Sequence, residues 1–255
     1  MELIDTHCHL TQLPPEELVA QLERARLAGV TKAICIGAGH GVEASIKATE
    51  LAQSQSNIWC SVGIHPHDAK EIESFSKIEE LATLPRVVAI GETGLDFFRD
   101  WSPFDLQEAV FIKSIKLALK VNKPLIIHCR NAGERCLELL KAHSASNMRG
   151  VFHCYSEDAT FAERIFEIGF IVSFPGSLTF KKSEELRQRA NLIPLDRIML
   201  ETDSPYMAPE PFRGKNSEPA HVRIIAECLA KVKSLTIEEI AVATTTNATK
   251  LFDLQ

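Results

Sequence analysis

The opening stretch Met1-Glu2-Leu3-Ile4-Asp5-Thr6-His7-Cys8-His9 reads as a short apolar strand running straight into a polar, histidine-bearing end. It lacks the basic and then apolar regions of an export signal, so it reads as the first strand of the fold. No glycine follows it, whereas a doubly wound nucleotide-binding sheet usually places a Gly-rich phosphate loop here. Outward from this stretch the same unit repeats. Strand-like runs occur at Glu2–Asp5, Lys32–Ile36, Ile58–Gly63, Val87–Gly91, Leu125–His128, Gly150–His153, Phe170–Ser173 and Arg197–Glu201. Amphipathic helical segments lie between or after them at Pro15–Ala28, Val42–Gln53, Asp105–Lys120, Ala132–His143, Ala159–Ile168, Ser183–Leu192 and Pro219–Lys233. Strict alternation of strand and helix implies a parallel sheet covered by helices, with right-handed crossovers. Eight such units favour a closed barrel over an open sheet. The expected fold is therefore α/β, a single (β/α)8 TIM barrel spanning 1–255, and 255 residues is close to the ~250 usual for that fold.

Composition narrows the function. Apolar residues are 45% and charged residues 24%, an ordinary globular mix, and no apolar run is long enough to span a membrane. Seven cysteines, an odd number in a long chain without an export signal, argue against a disulfide framework and for a reducing cytoplasm. A net charge of −6 excludes a protein that coats nucleic acid by bulk charge. It does not exclude a nuclease, because bound cations supply positive charge where phosphate sits. The oligomeric state is left open, and a monomer is compatible with the sequence.

Barrel enzymes build their sites at the C-terminal ends of strands. The polar residues closing these strands are His7 and His9, then His65, Glu92, His128, His153 and Asp203. His7 and His9 are two apart, so their side chains share one face of a strand. Imidazoles with carboxylates suit divalent cations. Any one of these histidines alone is better explained as a satisfied core or capping residue, but that explanation does not extend to the whole set. Cys8, Cys129 and Cys154 each follow a histidine, yet alternation turns them toward the helix layer as packing residues. Asp5 shares the face of His7 and His9 and either orients a ligand histidine or makes a strand-end hydrogen bond. His40, His67 and His143 lack such placement and read as surface or loop residues. The irregular stretch Ser204–Glu218 is long enough to be functional. Phe97, Phe98, Trp101, Tyr155, Tyr206 and Phe212 fall in loops at the same end, where aromatics either cover the barrel mouth or stack on bases.

At these residues the sequence resembles the TatD family of metal-dependent deoxyribonucleases, in the amidohydrolase-like barrel superfamily. The motifs run in order along essentially the whole chain. They are Asp5-Thr-His7-Cys-His9-Leu, Gly63-Ile-His65-Pro-His67, Gly91-Glu92-Thr-Gly-Leu-Asp96 and Pro124-Leu-Ile-Ile-His128-Cys-Arg130. His153-Cys-Tyr155-Ser156, Leu200-Glu201-Thr-Asp203-Ser-Pro205 and Thr246-Asn247-Ala-Thr-Lys-Leu-Phe252 complete the set. The resemblance implies two divalent cations, of Mg, Mn or Zn type. His7, His9, Glu92 and Asp203 would hold one, and Glu92 would bridge to a second held by His128 and His153. His65, Arg130 and Arg213 would face the substrate. Phe97-Phe98, Ser217 and Glu157 stand where the family often carries Tyr, Asn and Gly, which bears on substrate choice and touches no implied ligand.

The implied reaction is hydrolysis of an ester by a water activated between two cations, with Asp203 taking its proton and Glu92 setting the distance between the metals. The implied substrate is a phosphodiester in DNA, cut exonucleolytically on single strands. Two other readings stay open: hydrolysis of another bond on this scaffold, such as an aminoacyl-tRNA ester, cyclic amide or phosphotriester, and a metal-dependent binding protein without turnover. Barrels acting on amides often bridge their metals with a carboxylated lysine; here no strand ends in a suitable lysine, and Glu92 fills that place.

Overall fold

A computed structural model describes residues 1–143 and 148–254. Its strands are β1 (Leu3–Cys8), β2 (Val30–Gly37), β3 (Ile58–Val62), β4 (Val87–Asp96), β5 (Leu125–Arg130), β6 (Gly150–Phe152), β7 (Phe170–Phe174) and β8 (Ile198–Leu200). They form one eight-stranded sheet in sequential order. From β8 the backbone returns to β1: the Asp203 N–H donates to the His7 carbonyl at 2.9 Å, and the His9 N–H to the Ser204 carbonyl at 2.8 Å. This is the (β/α)8 barrel that the alternation predicts. Most strand positions are buried on both faces, as expected of parallel strands sheathed in helices.

The helices are α1 (Pro15–Leu27), α2 (Gly41–Ser54), α3 (Phe75–Leu81), α4 (Phe104–Val121), α5 (Gly133–His143), α6 (Ala159–Phe166), α7 (Glu184–Leu192), α8 (Val222–Lys233) and α9 (Ile237–Phe252). Two of them, α3 and α9, were not anticipated from the sequence. The start of α9 was nonetheless legible in Thr236-Ile-Glu-Glu239. Thr236 Oγ1 accepts from the Glu239 N–H at 3.2 Å, and Glu239 Oε2 accepts from the Thr236 N–H at 2.8 Å, a reciprocal capping box. The sequence readings of the first and fourth strands also stop short. β1 runs on through Cys8 and β4 through Asp96, so His7 and Glu92 lie inside strands and not beyond their ends.

Packing divides the chain into two compact units. Unit one comprises Met1–Ile34, Cys154–Ala162 and Val172–Gln255. In it, Asn247 Nδ2 on α9 donates to the Leu195 and Ile198 carbonyls at 2.9 and 2.8 Å, tying that helix to the start of β8. Unit two comprises Cys35–His153 and Glu163–Ile171. Its strands are drawn together by glycines. A Cβ at Gly63 would lie 2.8 Å from the Gly91 backbone, and one at Gly94, where φ is +132°, would collide with the His128 carbonyl. Only glycine allows β3, β4 and β5 to approach so closely while satisfying that backbone. Among the described residues no helix is long and apolar enough to cross a membrane.

Candidate functional site

In unit one, His7 on β1 and His9, just past the end of that strand, bring their rings 5.2 Å apart. The backbone bonds from Asp203 to His7 and from His9 to Ser204 hold the segment after β8 in register beside them. Asp203 adopts a left-handed φ of +54°, which aspartate tolerates better than most residues. Its Oδ1 lies 3.6 Å from His7 Nε2 and 3.5 Å from His9 Nε2. Those separations exceed a good N–H···O bond (~2.7–3.2 Å). They approach the ~3.3 Å expected between donors sharing a tetrahedral cation at ~2.0–2.1 Å.

Behind these donors, Asp5 Oδ2 accepts the Thr202 hydroxyl at 2.6 Å, while its Oδ1 accepts the backbone N–H groups of Thr202 at 3.0 Å and His7 at 3.2 Å. Complete burial pushes the Asp5 carboxyl up to about 7 against the pull of those bonds. Asp5 therefore fixes backbone. These bonds match the strand-end role read in the sequence. Glu201, also buried, accepts from the Cys154 N–H at 2.7 Å and from Ser173 Oγ at 2.5 Å, joining the turn after β6 to β7 and β8. Cys154 lies in that turn with φ +50°, so strand alternation does not set its direction; Sγ packs 3.4 Å from Met207 Sδ.

Unit two gathers its donors around two carboxylates on β4. His65, just past β3, has Nε2 3.2 Å from Glu92 Oε1. His128 on β5 and His153 after β6 bring Nδ1 and Nε2, respectively, to 2.8 Å from the same oxygen. Burial would raise the Glu92 pKa, but His153, His65 and His128 hold it well below the usual carboxylate range. His65 Nδ1 accepts the His67 N–H at 3.1 Å, so a neutral ring carries its proton on Nε2, facing Glu92. Burial lowers its pKa to about 4, which keeps that ring neutral.

Two residues passed over in the sequence belong to this group. Asp96, fully buried, takes His67 Nε2 at 2.7 Å and His128 Nε2 at 3.2 Å on Oδ2. The signal was available: Glu92 and Asp96 are four apart on one strand and so share its face. The sequence reads His67 as a surface or loop residue, and the structure corrects that. His67 enters because a 3₁₀ turn, Pro66–Ser74, folds it back under Trp101, with the rings 4.4 Å apart. Burial would lower the His128 pKa, but its bonds to Asp96 and Glu92 outweigh that and raise it.

The arginines named from the sequence lie against aromatic rings. The guanidinium of Arg130, at the end of β5, sits 4.1 Å from the Phe98 ring centre, and that of Arg213 sits 4.3 Å from that of Phe180.

In unit one Asp203 Oδ1 lies within 3.6 Å of both imidazoles, and in unit two His65, Glu92 and His128 offer atoms within 4.8 Å of one another, as do His67, Asp96 and His128. This chemistry fits a divalent cation of the Mg, Mn or Zn kind. The family model described as TatD related DNase matches residues 4–253. The chain belongs to this family. An uncharacterized metal-dependent hydrolase of Bacillus subtilis, YabD, is 39% identical over 98% of both chains. A protein of Rahnella named 3'-5' ssDNA/RNA exonuclease TatD is 37% identical over 91% of each. The solved structure of the TatD homologue YjjV from Escherichia coli superposes with a TM-score of 0.91 at 29% identity, covering 99% of this chain and 98% of that one.

Proposed function

We propose that this TatD-family hydrolase, metal-dependent like its relatives, cleaves phosphodiesters in DNA, working exonucleolytically on single strands. The observation that carries the reading is the pair of donor sets: two imidazoles with Asp203 in unit one, and three imidazoles around Glu92 in unit two. The name borne by the Rahnella relative points to the same substrate. In this reading His7, His9 and Asp203 would hold one divalent cation, and Glu92, His128 and His153 would hold a second. Such cations lower the pKa of an attacking water and neutralise charge on the phosphate.

The chain's own groups do the rest. Asp203, with Oδ1 3.6 Å from His7 Nε2 and 3.5 Å from His9 Nε2, would accept the proton of the attacking water. The low pKa of Glu92 keeps it an anion that the cations can rely on. His65 stays neutral and presents Nε2–H as a hydrogen-bond donor. Arg130 and Arg213 offer paired N–H groups to phosphate oxygens, the geometry that suits guanidinium best. The seven free cysteines suit a reducing compartment, and we place the protein in the cytoplasm.

The test is hydrolysis of end-labelled single-stranded DNA by metal-stripped protein, with Mg, Mn and Zn restored in turn. Metal-dependent cleavage lost in Asp203→Asn and Glu92→Ala is the expected result, and the product ladder gives polarity. Absence of cleavage with every metal would remove DNA as the substrate and move attention to other esters, aminoacyl-tRNA first.

A further inference from the structure

The connection between β4 and α4 carries two large rings that the fold does not cover: Phe98 is 56% exposed and Trp101 55%. Exposed aromatics usually sit on mobile loop tips, but this loop is braced along its length. Asp96 Oδ1 accepts the N–H groups of Phe98 and Arg99, both at 2.9 Å. The Phe97 N–H donates to the Arg130 carbonyl at 2.9 Å, and the Phe97 ring packs on Phe104 at 4.7 Å. Ser102 Oγ donates to the His67 carbonyl at 2.7 Å, and Gln107 Nε2 to the Ser102 carbonyl at 3.0 Å. The loop thus holds two rings in water at the cost of their hydration, with little freedom left to lose on binding.

Charge says what such rings would meet. The Arg99 guanidinium lies 5.1 Å from the Trp101 ring centre and 5.6 Å from that of Phe98, while Arg130 lies 4.1 Å from Phe98 on its own account. Among the described residues neither arginine forms an ion pair with a carboxylate, and cation–π contact occupies the guanidinium face while leaving its N–H edge available. Asp96, the buried acid at the loop's base, is already committed to His67 and His128. Flat apolar faces alternating with unneutralised guanidinium edges match a chain in which flat bases alternate with phosphates. The platform is contiguous with the donors: Trp101 rests on His67, which is bonded to Asp96 and through it to His128.

We propose that Phe98, Trp101, Arg99 and Arg130 form a stacking subsite for the unpaired bases of a single-stranded nucleic acid, selecting single strands over duplex. This rests on the phosphodiesterase reading for its place in catalysis but not for its binding. Tyr155 and Phe212, also singled out in the sequence, do not join it. Tyr155 is buried with its hydroxyl on the Asp158 carbonyl at 2.6 Å, and Phe212 stacks on His221 at 4.7 Å.

The chain has only two tryptophans, and Trp59 is 7% exposed beneath Arg86, so quenching by a stacked base reports on Trp101. The probe is a thymidine strand of about twelve nucleotides, compared with a strand of equal length made of abasic sugars, added to metal-stripped protein. The thymidine strand should quench Trp fluorescence and bind about tenfold more tightly than the abasic one, and Phe98→Ala should remove most of that difference. Trp101→Phe, which keeps a ring over His67, should retain the preference in a fluorescence-anisotropy assay with labelled strands, whereas Trp101→Ala should lose it. In cleavage with metal restored, the ratio of rates on base-bearing and abasic strands should fall toward one in Phe98→Ala. Equal binding of both strands by wild type, with cleavage indifferent to bases, would overturn the subsite and leave the phosphodiesterase. Base-dependent quenching with no cleavage under any metal would overturn the phosphodiesterase and leave the subsite.

Discussion

The two donor sets differ in what holds them. In unit one the backbone does the work: His7 is placed on β1 and His9 just past its end, Asp203 by ladder bonds to β1, and Asp5 locks both segments through Thr202. The carboxylate of Asp203 stands 3.5–3.6 Å from the rings, further than a hydrogen bond prefers. In unit two the side chains hold one another. Three ring nitrogens converge on Glu92 Oε1 at 2.8–3.2 Å, and Asp96 takes His67 and His128 on one oxygen. A set spaced by backbone suits a carboxylate that must also exchange a proton. A set cross-linked by its own hydrogen bonds suits ligands whose ring orientation must not drift, since an imidazole whose far nitrogen is bonded keeps its tautomer.

The strongest way to break this contrast is to remove the acceptor in unit one. Asp203→Asn should cost hydrolysis about 10²–10⁴-fold while circular dichroism shows the fold intact. Retention of most activity would show that the base lies elsewhere. Asp96→Asn probes unit two. By calorimetric titration, affinity for a divalent cation should fall about 10–100-fold, because His128 loses the partner that orients its ring. An unchanged affinity with a lower melting point would reduce Asp96 to a loop brace. Both sets need neutral imidazoles, and protons compete with cations for the same nitrogens. Metal binding and activity should therefore decline together as pH drops below about 6, and activity steady down to pH 4.5 would contradict both donor sets. The smallest effect concerns the scaffold of unit one. Thr202→Val removes the hydroxyl bond to buried Asp5 and should cost about 1–3 kcal/mol in denaturant unfolding, leaving metal affinity in unit two unaltered. A loss of affinity there would mean that the sets do not answer separately.

Much of this is legible in the sequence. The alternation of apolar runs with amphipathic segments specifies a (β/α)8 barrel because the side-chain period of each segment reports which faces are buried, and period is a local property. The same logic finds His7, His9, His65, Glu92, His128, His153 and Asp203, since the fold puts strand ends at its open face. The family is legible separately, through the resemblance of its motifs, which are runs of adjacent residues. Helices α3 and α9 escaped because a short amphipathic segment and a second C-terminal helix add no strand to count, although Thr236 and Glu239 marked where α9 begins.

What tertiary structure alone decided is partnership. Asp96 and His67 are ordinary in sequence and become part of the donor group only where a turn brings one under Trp101 and a strand pairing sets the other opposite Arg130, two residues beyond His128. The loop aromatics look alike in sequence, yet Tyr155 is buried while Phe98 and Trp101 stand in water over a braced loop. Nothing in residue order separates these cases, because exposure and hydrogen-bond partners depend on residues tens of positions away. The sequence thus determines which chemistry the chain can carry, and the packing of distant segments determines which of its residues carry it.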